Sequence, residues 1–154
     1  MAILLSFALL CALCAVLAWI DIRHGIIPDW LNLSIAALGL LTVVLSEDRA
    51  AAIQALGEGA VIGVTFWLLR RLYFAFRGTQ GLGLGDVKFL GAAGIWVGVA
   101  GIPMLLLVAT ITALACVGGM QLSGRTLTAQ TSMSFGPFLA AGLLVTSGFQ
   151  QYGF

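Results

Sequence analysis

Charge is scarce in this sequence. Of 154 residues, 7 are Lys or Arg and 6 are Asp or Glu, 8% in all, where a soluble domain carries about 25%. With 61% hydrophobic residues beside them, that deficit excludes an ordinary water-soluble globule and a disordered chain. The net charge is only +1, which leaves no basic surface for a nucleic acid. Cysteine is scarce too. Cys11 and Cys14 have C-x-x-C spacing, but they lie in an uninterrupted apolar run, and Cys116 is remote in sequence. A zinc or redox centre needs a second pair of ligands nearby. We therefore expect no metal and no cofactor, and read the three cysteines as small helix-packing residues. What the composition supplies is apolar length, the mark of a polytopic membrane protein.

A helix crossing roughly 30 Å of hydrocarbon takes about 20 residues. The chain has room for six or seven such spans and none for a separate soluble domain. The expected fold is all-α: a bundle of about six transmembrane helices forming one domain over residues 1–154. Residues 1–20 carry no charge. They lack the basic n-region and A-x-A site of a signal peptide, and read as the first span. The others are expected at about 30–45, 50–69, 86–99, 104–117 and 134–149, with Gly101-Ile102-Pro103 turning the chain between the fourth and fifth. Residues 118–133 read as a polar loop, and 72–85 as the element expected to move. Arg23, Arg70, Arg71, Arg77, Lys88 and Arg125 fall on one set of loops, and Arg49 alone on the other. By the positive-inside rule the basic side is cytoplasmic and both termini face outward. The spacings Gly59-x-x-x-Gly63 and Gly94-x-x-x-Gly98 predict close helix contacts within the bundle.

Each charge in such a chain needs a reason, because it is costly unless it faces water or a partner. Asp21 ends the first span and Asp86 opens the fourth, so the topology puts both on one leaflet although they are 65 positions apart. Two carboxylates brought close do not easily both ionise. One stays protonated while the other deprotonates a water, the arrangement of an aspartic protease. The alternative is a pair of unrelated helix-end residues, with Asp86 favoured by a helix N-terminus. Before Asp86 the chain reads Gly81-Leu82-Gly83-Leu84-Gly85. Glycines at alternate positions make room for an extended substrate backbone or a hinge. A phosphate-binding loop would need a following G-K-[ST], which is absent. Glu58, between Gly57 and Gly59 near the middle of the third span, is expected to be protonated or to face a polar crevice. A small proton-coupled carrier with Asp21, Glu58 and Asp86 as relay groups is the competing function. It is disfavoured because two of the three acids lie at one surface.

Gly83-Leu84-Gly85-Asp86-Val87-Lys88 resembles the GxGD motif of type IV prepilin peptidases, which are membrane aspartic proteases. Asp21 followed by Ile27-Pro28-Asp29-Trp30-Leu31-Asn32 is similar to the segment around that family's other catalytic aspartate. Phe135-Gly136-Pro137-Phe138-Leu139 resembles the segment that opens its last span. The three segments occur in order and the resemblance covers essentially the whole chain. It implies a peptidase of the inner (cytoplasmic) membrane with Asp21 and Asp86 as catalytic pair. The partners it implies are the lipid bilayer and pilin or pseudopilin precursors with a short basic leader, a cleavage point usually after glycine, and an apolar helix. Larger members carry a cytoplasmic insertion with two C-x-x-C pairs and a region linked to N-methylation. This chain resembles the short, peptidase-only form found with Flp/Tad-type pili and archaeal preflagellin processing. A catalytically silent assembly factor of a pilus machine is a third reading, against which the intact aspartates count.

Around that pair we expect Gly83, Gly85, Pro28, Phe135, Gly136 and Pro137 to shape the site. Lys88 is expected to hold a lipid phosphate, tune Asp86 or snorkel to the interface. Asp29 is read as the N-cap of the second span or a contact for the basic leader. Arg70, Arg71 and Arg77 are read as topology anchors, and His24 as an interfacial residue.

Overall fold

Polar punctuation cuts the apolar sequence into helices. The computed structural model describes residues 2–78, 81–122 and 134–153. It contains α1 (Ala2–His24), α2 (Asp29–Ser46), α3 (Arg49–Arg77), α4 (Leu84–Leu122) and α5 (Gly136–Tyr152). Four of them, α1 to α4, are long and apolar enough to cross a membrane. The all-α expectation holds. The expected polar loop at 118–133, with Arg125, lies outside the described residues from 123 onward, while 118–122 continue α4.

The expected fourth and fifth spans are two halves of α4, and the chain breaks at Gly98 rather than at Gly101-Ile102-Pro103. Gly98 has φ 65° and ψ 176°, inside 39 otherwise helical residues. A straight helix of that length would run about 58 Å, nearly twice the hydrocarbon thickness. The break folds it back. A Cβ built on Gly101 would lie 2.6 Å from the Cβ of Val97, where a straight helix keeps i and i+4 about 5–6 Å apart. Gln150 Nε2 donates to the Val97 carbonyl at 3.0 Å and lies beside Gly101. Gly142, eight positions earlier on α5, packs against Leu105. The stretch after Gly98 therefore runs antiparallel to α5, back toward the end from which α4 set out.

What makes the break at Gly98 is a side chain from another helix. Glu58 Oε2 accepts from the Val99 N–H at 2.8 Å, and its Oε1 accepts from Gln54 at 2.8 Å. The carboxylate caps the exposed amides at the start of the returning stretch, where the helix dipole favours negative charge. Any side chain at Gly98 would overlap Glu58, and φ 65° is the left-handed region that glycine tolerates. Glu58 is thus a half-buried structural cap near the start of α3. It stands about 18 Å along α4 from Asp86 and does not share a path with the other two acids.

Close helix approach sets the rest. A Cβ on Gly59 would meet the Gly91 carbonyl at 2.8 Å, and one on Gly94 would meet the Gly59 Cα at 3.1 Å. Glycines thus let α3 and α4 touch backbone to backbone. Trp96 lies across Gly39 of α2 and donates its indole N–H to the Ile35 carbonyl at 2.9 Å. α4 packs on α2, α3 and α5, and α1 on α2 and α5. The core is Leu10 and Leu17 of α1, Leu31 and Ile35 of α2, Phe89, Leu90 and Leu105 of α4, and Leu139 and Leu143 of α5. Cys14 packs into it, whereas Cys116 is exposed.

Two further differences concern helix ends. α3 does not stop at Leu69 but runs through Arg77 to Gly78, so half of the expected loop 72–85 is helix. Its apolar and aromatic residues continue past Arg70-Arg71, and the i, i+4 pair Trp67 and Arg71 stacks at 5.4 Å. Asp29 does not cap α2. Pro28 (φ −65°, ψ 140°) holds the cap position and no side chain bonds the free amides there. The Asp29 carboxylate is engaged elsewhere.

Candidate active site

The site is assembled at one end of the bundle from the ends of α1, α2, α4 and α5. Asp21 lies in the last turn of α1. Gly25, at φ 65°, stops that helix and donates its N–H to the Asp21 carbonyl at 2.8 Å. The Ser134 hydroxyl donates to the same carbonyl at 2.6 Å. The Gly136 N–H donates to Asp21 Oδ2 at 2.9 Å. The carboxylate therefore sits at the N-terminus of α5, facing its free amides and the positive end of its dipole. It is 4% exposed. A Cβ at Gly136 would overlap Oδ2, so the bare backbone is what allows this approach.

Asp86 lies in the first turn of α4, with its carboxylate set close against the backbone of Gly83. A Cβ on Gly83 would stand 3.0 Å from Oδ2, and one on Gly85 would stand 3.0 Å from the Cβ of Ile27. The alternating glycines thus bring the loop against the α1–α2 connection and against its own aspartate. From α3, Arg70 Nε donates to the Leu82 carbonyl at 3.0 Å, and the Tyr73 ring packs on Gly81. Asn32 Nδ2, buried on α2, reaches the Gly85 carbonyl at 3.5 Å.

Asp21 and Asp86 line one cavity of about 630 Å³, together with Gly25, Ile26, Ile27, Asp29, Gly81, Gly83, Leu84, Gly85, Lys88, Ser134 and Phe135. The two aspartates are close enough for the charge on one to act on the other. Lys88 does not reach Asp86. Its ammonium bonds both carboxylate oxygens of Asp29 at 2.7 Å, joining the first turn of α4 to that of α2. Of the residues expected at the site, Gly83, Gly85, Lys88, Asp29 and Phe135 line the cavity with the aspartates. Gly136 bonds Asp21. Pro28 and Pro137 do not line the cavity. They set the first turns of α2 and α5. Among the described residues no three His, Cys, Asp or Glu side chains are placed to hold a metal ion.

Three contributors were not singled out from sequence. Arg70 was read as a topology anchor, and Ser134 only as the start of a span. Asn32 falls in the Ile27–Asn32 segment, which by itself gives it no role. A polar residue inside an apolar helix is itself a signal, and Asn32 carried it.

The fold and site thus define a class: a helical, membrane-spanning bundle that presents two aspartates from distant segments in one cavity at its end. The particular family follows from comparison. The type IV leader peptidase family matches residues 8–118, and the chain belongs to it. It is 37% identical over 145 residues to a prepilin leader peptidase/N-methyltransferase of Burkholderia pseudomallei strain 1026b, covering 92% of this chain and 45% of that one. It is 35% identical over 141 residues to one from Xanthomonas campestris, covering 91% and 48%. With the leader peptidase HopD of Escherichia coli it shares 38% identity over 141 residues, 89% of this chain and 88% of that one. The chain spans about half the length of the first two relatives. No solved structure matches it.

Proposed function

We propose that the chain is a membrane aspartic endopeptidase that removes the leader from type IV pilin-like precursors, with Asp21 and Asp86 as the catalytic pair. The observation that carries this reading is the meeting of two aspartates, 65 positions apart in sequence, in one cavity at the end of an apolar bundle. Membership of the leader peptidase family supplies the substrate class. One carboxylate takes a proton from water, and the water attacks the scissile carbonyl. The other, protonated, gives its proton to the carbonyl oxygen or the leaving amine. The pair titrates as a unit, so the roles belong to the dyad.

The bilayer reading follows the same line. With α4 crossing out and back, the bundle makes six crossings and both termini face outward. Arg23, Arg70, Arg77 and Lys88 lie at the end that carries the site, and Arg49 opens α3 at the other. The positive-inside rule puts the site at the cytoplasmic face of the inner membrane. There a precursor keeps its leader in water and its apolar helix in lipid.

The test is cleavage of a tagged pilin precursor co-expressed in membranes. Wild type is expected to shorten it, while Asp21→Asn and Asp86→Asn fail by at least about a hundredfold although both insert normally. Cleavage by both variants at the wild-type rate would end the protease reading. A dyad needs one carboxyl protonated and one ionised, so kcat/KM is expected to fall on both sides of an optimum. A profile with no acidic limb contradicts it.

A further inference from the structure

Among the described residues the cavity is lined by three carboxylates, Asp21, Asp29 and Asp86, and one ammonium, Lys88. With one proton shared by the dyad, the lining is still net negative. That ammonium is held on Asp29, so in this state Asp29 is neutralised from within. The pair is open to water, Lys88 being 42% and Asp29 74% exposed. Exposed pairs of this kind are weak and exchange readily. Asp29 lies in the first turn of α2, where the helix dipole stabilises a carboxylate after its lysine has left. The freed lysine, on a flexible four-carbon stem, is strongly hydrated and easily accommodated in solvent.

We propose that Asp29 is a specificity-determining residue: it binds a cationic side chain of the substrate near the scissile bond, and Lys88 is the internal competitor that this side chain displaces. The inference rests on the peptidase reading above. It explains why a lysine two positions from a catalytic aspartate bonds an acid on another helix instead. It also gives the cavity a means of rejection, because an acidic side chain does not displace Lys88 and meets the remaining negative charge of the dyad.

The experiment uses the full chain in phosphatidylcholine vesicles and two synthetic pilin-type precursor peptides. Both keep a glycine just before the scissile bond; one carries a lysine immediately ahead of that glycine, and the other carries glutamine there. Wild type is expected to prefer the lysine peptide by about fivefold in kcat/KM. Asp29→Asn should reduce that preference below twofold, and Asp29→Glu should keep it. Lys88→Gln should enlarge it, since the competitor is gone. Asp29→Lys should turn the preference toward a third peptide with glutamate at the same position. A preference in Asp29→Asn as strong as in wild type overturns the proposal. So does equal cleavage of the lysine and glutamine peptides by wild type. Failure of wild type to cleave any peptide overturns the peptidase reading as well, which distinguishes the two failures.

Discussion

At the scale of single residues the site depends on what is missing from its backbone. Gly136 leaves room for Asp21 Oδ2 to accept its N–H at 2.9 Å. A methyl group there overlaps the carboxylate, which must rotate away or push α5 aside. Gly136→Ala is expected to lower kcat/KM by at least about tenfold, a loss typical of a misplaced catalytic group. Gly83→Ala places its methyl 3.0 Å from Asp86 Oδ2 and should cost less. Cleavage rates of the two variants, measured beside their melting temperatures, check the order. Asp21, Asp86 and the glycines around them were legible in the sequence because they lie in short, dense motifs. The partners were not. Nothing local to Lys88 says that its ammonium pairs with Asp29, 59 positions earlier, and nothing local to Ser134 says that it holds a carbonyl of α1.

At the scale of elements the informative case is α4. Gly101-Ile102-Pro103 is a sound turn signal by composition, yet the chain reverses at Gly98 because Glu58 arrives from α3 to cap the amide of Val99. A tertiary cap has no sequence signature, so the apolar, helical character of this stretch was readable and the position of the break was not. The end of α3 was misplaced for a related reason. Arg70 and Arg71 look like a membrane boundary, but their helix continues to Arg77 and uses Arg70 to hold the loop before Asp86. Gly98→Ala forces a β-carbon into the left-handed region and into Glu58, and should destabilise the folded chain by about 1–3 kcal/mol. Glu58→Ala, which removes the cap alone, should cost about 1–2 kcal/mol, and Glu58→Gln less, since its carbonyl still accepts. Thermal unfolding of the three variants in one detergent gives the comparison. A Glu58→Ala variant as stable as wild type would show that the cap does not hold the turn.

For the whole molecule, orientation in the bilayer is the property that ties site to substrate. Glu47 follows α2 at one end, and Arg77 closes α3 at the other. In a background with Cys11, Cys14 and Cys116 replaced, Glu47→Cys is expected to react with an impermeant maleimide in intact cells. Arg77→Cys should react only after permeabilisation. The reverse pattern would put the cavity on the outer face and remove it from any cytoplasmic leader. The bundle itself, its apolar character and its basic side were readable from composition and charge asymmetry. The pairing of α3 with α4 through Gly59, Gly91 and Gly94 was readable only as a tendency of small residues to meet.

The bonds from Ser134 and Gly136 to Asp21 join residues 113 and 115 positions apart, and this governs when the site exists during synthesis. A ribosome that has delivered α1 to α4 has already placed both aspartates in the membrane. The amide and hydroxyl that orient one of them are still unmade. A product that stops short of Ser134 lacks both bonds, and under the function proposed above proteolytic competence is expected only when α5 docks on α1. A nascent or truncated copy thus carries both acids without the means to aim them.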